Sequence, residues 1–199
     1  MKTHNYDMKR DLYELTTMSS SLEQYLTDSH MFYNPQGMYS TMPPMTLGTF
    51  LLRLRRIATL QPLLDVGERA QLAIAIQVHD KVLEEWLVHY QAKLQKEVEI
   101  RINSIKTYFN ELSNTPHEKI QDYHPELYAR TVIEELLNQI GANIEVSQDV
   151  LNDVEQTDQR WNEITRNSYF HWDERLRDVY PEEHYWWLYR ELDLELITA

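Results

Sequence analysis

The sequence lacks cysteine altogether, which excludes disulfide bonds, cysteine-based zinc sites and thiol nucleophiles. Glycine is scarce too, and four glycines with seven prolines are too few to form the turns of a many-stranded sandwich or barrel. No apolar run approaches the roughly 20 residues that a membrane-spanning helix requires. The N-terminal residues are polar and lack the apolar core of a signal peptide, so we expect a soluble, cytoplasmic protein.

Several catalytic motifs are missing as well. The four glycines are isolated and form no phosphate-binding loop, and there is no Gly-x-Ser-x-Gly nucleophile elbow. No Glu-x-x-His sequence is available for a carboxylate-bridged dimetal centre. His79, Asp80 and Glu84 lie within two helical turns, which leaves a mononuclear metal site open, although a histidine on an apolar stripe is more often a core or boundary residue. We therefore expect no metal and no cofactor.

Helical periodicity is the strongest pattern that is present. Residues 68–115 contain no glycine or proline, and their apolar and aromatic residues recur at steps of three or four. The stripe comprises Leu72, Ile76, His79, Leu83, Trp86, Tyr90, Leu94, Val98, Ile102, Ile105, Phe109 and Leu112. Asp65 precedes it with Glu68 three residues on, which is the spacing of a capping box. The pattern predicts one long amphipathic helix that ends near Asn114.

The N-terminal third of the chain predicts shorter helices. We read residues 1–199 as one all-α domain, in which residues 1–60 carry helices at about 8–28 and 46–60. Between these helices, residues 30–45 are too rich in proline for regular structure and too rich in methionine and aromatics for a flexible linker. An ordered loop lying across a helical surface is expected there.

The C-terminal half predicts a return arm, a second helical stretch that runs antiparallel to the first. Helical periodicity continues from about 126 to 180, and Gly141 either ends one helix or is crossed by it. With a short corner between the arms, residues 65–180 are predicted to form a long antiparallel, coiled-coil-like hairpin, and residues 181–199 a terminal helix. The predicted fold class is therefore an elongated all-α helical bundle built on this hairpin.

The net charge of −13 is concentrated at the C-terminal end, since residues 142–199 hold fourteen acidic and five basic residues. Nucleic acid is an unlikely partner for that surface, because phosphate binding requires clustered positive charge. A protein partner with a basic surface fits it better. Arg53, Arg55 and Arg56 resemble a short anion-binding strip. The alternative is a solvated face that covers apolar neighbours or pairs with the acidic C-terminal region.

The segment from Arg166 to His171 carries the strongest catalytic candidates. Arg166, followed by Asn167, and His171 five residues beyond the arginine resemble the signature of the HEPN family of small all-α ribonucleases and toxins. The resemblance implies that the arginine and histidine face a cleft between two protomers and act on a scissile phosphate. A guanidinium clamps phosphate and an imidazole titrates near neutral pH, which suits that chemistry. The alternative is a surface arginine beside a partly buried histidine.

The last predicted helix has an unusual composition, with Tyr185, Trp186, Trp187 and Tyr189 set between acidic residues. Four large rings exceed what one short helix buries on a narrow stripe, and such rings are common anchors at interfaces. Closure of one end of the bundle is the alternative. We conclude that the sequence favours a non-enzymatic protein-interaction or scaffolding module, with these four rings as the partner-binding residues and a homodimer as one form of the assembly. A HEPN-like, metal-independent ribonuclease is the alternative.

Overall fold

The computed structural model describes residues 6–35, 42–141 and 143–198. Within these residues the predicted all-α class is confirmed, with one two-stranded antiparallel sheet beside the helices. The helices are α1 (Met8–Ser20), α2 (Leu22–Thr27), α3 (Leu47–Thr59), α4 (Val66–Glu85), α5 (Leu87–Asn114), α6 (Pro116–Lys119), α7 (Tyr123–Leu137), α8 (Gln148–Ile164) and α9 (Leu194–Thr198). The strands are β1 (Thr165–Asn167) and β2 (Arg190–Leu192). Buried side chains from α1 to β2 form one continuous apolar core.

Side-chain caps fix where several helices begin. Asp65 accepts a hydrogen bond from the Glu68 amide while the Glu68 carboxylate accepts one from the Asp65 amide, so the predicted capping box is present at the start of α4. Thr46 and Thr49 form the same reciprocal pair at the start of α3. The loop predicted before α3 is described at its ends, where Tyr33 and Met45 exchange backbone hydrogen bonds; residues 36–41 lie outside the described residues.

The predicted long helix is wrong at one point, because it breaks at Trp86. That residue has φ −122° and ψ 29°, far from helical values, and separates α4 from α5. In a straight helix the Cα atoms of His79 and Tyr90 would be roughly 16 Å apart. Their rings instead lie 5.8 Å apart and share a hydrogen bond, so the two helices bend toward each other. The break allows α4 to pack on α1 and α3, whereas α5 packs on α7 and α8.

The predicted return arm is also not one helix. It ends at Leu137, and Gly141 pairs with Ile144 in an isolated β-bridge before α8 begins. Between Ile164 and α9 the described chain forms no α-helix, so the antiparallel hairpin over 65–180 is not confirmed as predicted. A helix beginning at Pro181 is likewise wrong: the segment contains turns, a 3₁₀ helix at Trp186–Tyr189 and then β2. Long-range contacts with α7, described below, outweigh the local helical preference of this segment.

Helix α3 approaches α5 and α7 very closely at Gly48. The buried Glu97 carboxylate of α5 accepts hydrogen bonds from the Gly48 amide, at 2.9 Å, and from the Thr46 hydroxyl, at 2.6 Å. Arg101 donates to the same carboxylate at 2.7 Å. A Cβ atom on Gly48 would lie 2.3 Å from Cγ1 of Val132. Only glycine fits where three helices meet at this distance.

Candidate functional site

The two residues of the HEPN-like motif are not on a helix. Arg166 lies on β1 opposite Glu191 of β2. Its exposed guanidinium donates to the Glu191 carboxylate at 2.8 Å and lies 3.8 Å from Asp193. The arginine is therefore held by carboxylates of the same chain, which compete with any phosphate for the guanidinium.

His171 faces the interior and not the open surface. Its ring packs against those of Tyr123, His124 and Tyr169, with centroid distances of 6.0, 5.4 and 5.0 Å. Both ring nitrogens are buried and have no hydrogen-bond partner in the part of the chain that the structure describes. Burial, with repulsion from His124, lowers the pKa of His171. A neutral imidazole enclosed by rings is poorly placed to protonate a substrate.

Three of the four aromatic residues predicted to bind a partner are buried in the core: Tyr185, Trp187 and Tyr189. The Trp187 indole donates to the Thr131 hydroxyl at 2.9 Å. The Tyr189 hydroxyl donates to the Tyr180 carbonyl at 2.9 Å. These rings close the bundle against α7, so among the four the structure leaves Trp186, which is partly exposed, to contact a partner.

The Tyr185 hydroxyl takes part in a second buried polar contact. It donates at 2.8 Å to the carboxyl group of Glu135 on α7, and Arg55 of α3 lies 3.5 Å from the same group. Burial raises the pKa of Glu135 to about 7 in spite of Arg55. The aromatic segment is thus attached to two helices by polar as well as apolar contacts.

The arginines of α3 are internal and do not form an anion-binding strip. Arg53 is buried and pairs with Glu14 of α1 at 2.5 Å. Arg56 lies over the Trp172 ring and donates to the Tyr180 hydroxyl at 2.9 Å. The acidic partners of these arginines lie on α1 and α7 and not in the acidic C-terminal region, so the alternative interpretation is not met either; the C-terminal segment supplies aromatic partners for Arg56.

His79 is part of the bend between α4 and α5. Its Nε2 lies 3.0 Å from the Tyr90 hydroxyl, and its ring stacks on Phe50 of α3 at 5.6 Å. Burial lowers the pKa of His79 although Asp80 lies beside it. Among residues 6–35, 42–141 and 143–198, no group of three or more His, Asp or Glu side chains is arranged to hold a metal ion.

One face of α4 is apolar and left uncovered among the described residues; it is formed by Val66, Ala70, Ala73 and Ile74. All four residues are exposed, Val66 by 80% and Ile74 by 60%. A helix turns by about 100° per residue, so these four side chains lie on the side of α4 opposite its buried stripe. The stripe comprises Leu72, Ala75, His79 and Val82. Helix α4 is therefore apolar on two sides, and one of them has no cover in the described chain.

Sequence reasoning missed this α4 face because it searched for one stripe. The single period assigned Ile76 to the core, whereas the structure leaves it exposed. A usable signal was present, since Val66, Ala70 and Ile74 repeat at steps of four outside the assigned stripe.

No helix within the described residues combines the length and the apolar character needed to cross a membrane. Comparison with known proteins gives no match to the chain among protein-family models, among curated proteins or among solved structures.

Proposed function

We propose that the protein is a non-enzymatic helical interaction module that self-associates, and that a second copy of the chain covers the α4 face. The single observation that carries this proposal is the exposure of Val66 and Ile74 on the side of α4 opposite its buried stripe. Clusters of exposed apolar side chains on one element are typical of interaction sites, whereas scattered ones are ordinary.

The order of side chains on the α4 face favours a two-fold contact. Val66, Ala70 and Ile74 follow one another as large, small and large at intervals of four residues. If two α4 helices cross antiparallel with the two-fold axis at Ala70, Val66 of each copy lies opposite Ile74 of the other. Gly67 of each copy then lies opposite Ala73, so small residues allow the backbones to approach.

Charge favours a second copy over a basic partner at this face. The chain has a net charge of −13, yet residues 66–77 contain one acid, Glu68, and one base, Arg69. A basic partner would be attracted to the acidic surfaces and not to this neutral one. Two copies of a strongly acidic chain repel each other least where each presents a neutral surface.

The test is the molar mass of the full chain in solution, measured by light scattering after size exclusion across a range of protein concentrations. The wild type should dimerise, and the double variant Val66→Asp/Ile74→Asp should weaken the dimer by about 100-fold or more, because carboxylates would be buried without partners. Val88→Asp is the matched control, since Val88 is a valine in the first turn of α5, with 78% exposure, outside the α4 face. It should leave the dimer unchanged.

Two outcomes would overturn the proposal. One is a wild type that stays monomeric at roughly 100 µM, far above the Kd of a specific dimer of about 1 µM. The other is a Val88→Asp variant that weakens the dimer as much as the double variant does. RNA cleavage by the purified chain that His171→Ala abolishes would instead favour the HEPN-like alternative.

A further inference from the structure

A groove of about 510 Å³ lies between α5 and the corner that joins α6 to α7, away from the α4 face. The polar residues around it include Thr107, Tyr108, Glu111, Lys119, Asp122 and Glu126. Ile100 and Pro125 add apolar surface to its lining. The groove therefore combines carboxylates with apolar surface, as a site for an organic molecule does.

Glu126 is the unusual group in this groove. It lies in the first turn of α7 with 9% of its surface exposed, and its Oε2 atom is buried without a hydrogen-bond partner among the described residues. Burial, with a smaller contribution from Asp122, raises the pKa of Glu126 to about 7. A buried acceptor that no donor reaches is rare in native proteins, and since Glu126 lines the groove, a donor that enters the groove can satisfy its carboxyl group.

The rim of the groove already binds one ammonium group of the chain itself. Nζ of Lys119 lies 2.5 Å from Glu111 and 3.8 Å from Asp122. Lys119 has no ion pair with Glu126 among the described contacts. Of the carboxyl groups of Glu111, Asp122 and Glu126, that of Glu126 is therefore left without a cation. Tyr108 also lines the groove, and its hydroxyl donates to the Lys119 carbonyl.

We propose that this groove binds an organic cation, a primary ammonium or guanidinium group on an alkyl chain, with Glu126 as its anionic ligand. The cation donates to the carboxylate, and the alkyl chain lies along Ile100 and Pro125. A metal ion fits less well, since the described residues provide no cluster of three ligands here. The cation belongs either to a diffusible amine or to a lysine or arginine side chain of another protein.

Binding of a cation at Glu126 is linked to release of a proton. The charged groups that face Glu126 are Asp122 and Lys119 on the corner and Glu111 on α5, with the Tyr108 hydroxyl beside them. A bound cation favours the carboxylate and lowers its pKa, so affinity should rise as pH increases from about 6 to about 8 through the pKa of the empty site.

The test is isothermal titration calorimetry of the full chain with two probes, 1,5-diaminopentane and a short uncharged peptide that carries one arginine. Glu126→Gln keeps the shape of the side chain. It should weaken binding of whichever probe binds the wild type by about tenfold or more, and the pH dependence of that binding should be lost. Glu99→Gln is the matched control. Glu99 lines a groove of about 540 Å³ on the same helix, but its carboxylate already accepts a hydrogen bond from Gln95 at 2.9 Å.

Binding of the diamine alone would identify a diffusible ligand, and binding of the peptide alone a protein side chain; both support the site. The diol of the same length, 1,5-pentanediol, should not bind. The proposal is overturned if neither cation binds, if the diol binds as well as the diamine, or if Glu99→Gln weakens binding as much as Glu126→Gln. Should Glu126→Gln fail to fold by circular dichroism, the exposed Asp122 is changed instead. Asp122 contributes to the raised pKa of Glu126, so Asp122→Asn should keep cation binding and move its pH dependence to lower pH, and an unchanged pH dependence would overturn the proposal.

Discussion

Replacing Gly48 by alanine should destabilise the protein by about 2–4 kcal/mol. The added Cβ would lie 2.3 Å from Val132 Cγ1, 2.9 Å from Glu97 Oε1 and 3.2 Å from Leu136 Cδ1. Carbon atoms in contact prefer roughly 3.5–4.0 Å, so α3 has to move away from α7 by more than 1 Å or the side chains must leave their rotamers. Such overpacking costs about 1–3 kcal/mol.

The movement of α3 also weakens the hydrogen bond from the Gly48 amide to the Glu97 carboxylate. Bonds to charged groups contribute about 1.5–3 kcal/mol, and part of that is lost. The better helix propensity of alanine offsets at most about 1 kcal/mol, and less at Gly48, the second residue of α3. Urea unfolding followed by circular dichroism at 222 nm measures the net change in the free energy of unfolding.

Gly141→Ala is the matched control for this experiment. No described atom lies within 4 Å of a Cβ placed there, and no described glycine has a positive φ. Its free energy of unfolding should stay within about 0.5 kcal/mol of the wild type or rise slightly. If Gly48→Ala is as stable as Gly141→Ala, α3 does not approach α7 as closely as described, and the reasoning fails.

Two further changes test the buried charges. Arg53→Met should cost about 3–5 kcal/mol because it leaves Glu14 buried without its closest partner. Arg10→Met removes an exposed partner of the same carboxylate and should cost much less in the same urea assay, and equal costs would contradict the assigned burial. Burial and His124 lower the pKa of His171, so the unfolded chain binds more protons and stability falls as pH decreases below about 6.5. His171→Phe removes the histidine that becomes protonated in the unfolded chain. The free energy of unfolding of this variant, relative to that of the wild type, should therefore be higher at about pH 5 than at about pH 7 in urea titrations. If the two proteins lose stability equally as the pH falls, His171 is not buried as a neutral ring.

The all-α class could be predicted from the sequence because periodicity and capping are local. The box at Asp65 and Glu68 and the stripe on α5, from Tyr90 to Leu112, depend on residues a few positions apart, and both are present. The break at Trp86 could not be predicted in this way. It is stabilised by Phe50 of α3, which stacks on His79, and by the different partners of α4 and α5.

The fold of the C-terminal segment also could not be predicted from local sequence spacing. Its tyrosines and tryptophans follow a Pro-Glu-Glu helix start signal, yet the indole of Trp187 and the hydroxyl of Tyr185 find their partners on α7, 56 and 50 residues away. Such distant partners leave no mark in local spacing, so surface anchors and core closure could not be separated. The unpartnered Oε2 of Glu126 is likewise visible only once α5 and α7 are placed side by side.

The contacts of the α3 arginines form in a particular order while the chain is being synthesised. The partner of Arg56, the Tyr180 hydroxyl, lies 124 residues further along, and the Tyr6 amide donates to Asp173 across 167 residues. At about 5–20 residues per second, translation leaves Arg56 without that partner for roughly 6–25 s. During this interval α1 and α3 can already pair through Glu14 and Arg53, while the cationic side of α3 that later contacts Trp172 and Tyr180 stays open to other molecules on the ribosome. Asp11 of α1 lies 3.6 Å from Arg56 and balances part of its charge from an early stage. Enclosure of the guanidinium by rings is therefore among the last steps of folding during synthesis, and a nascent chain halted before Trp172 would lack it.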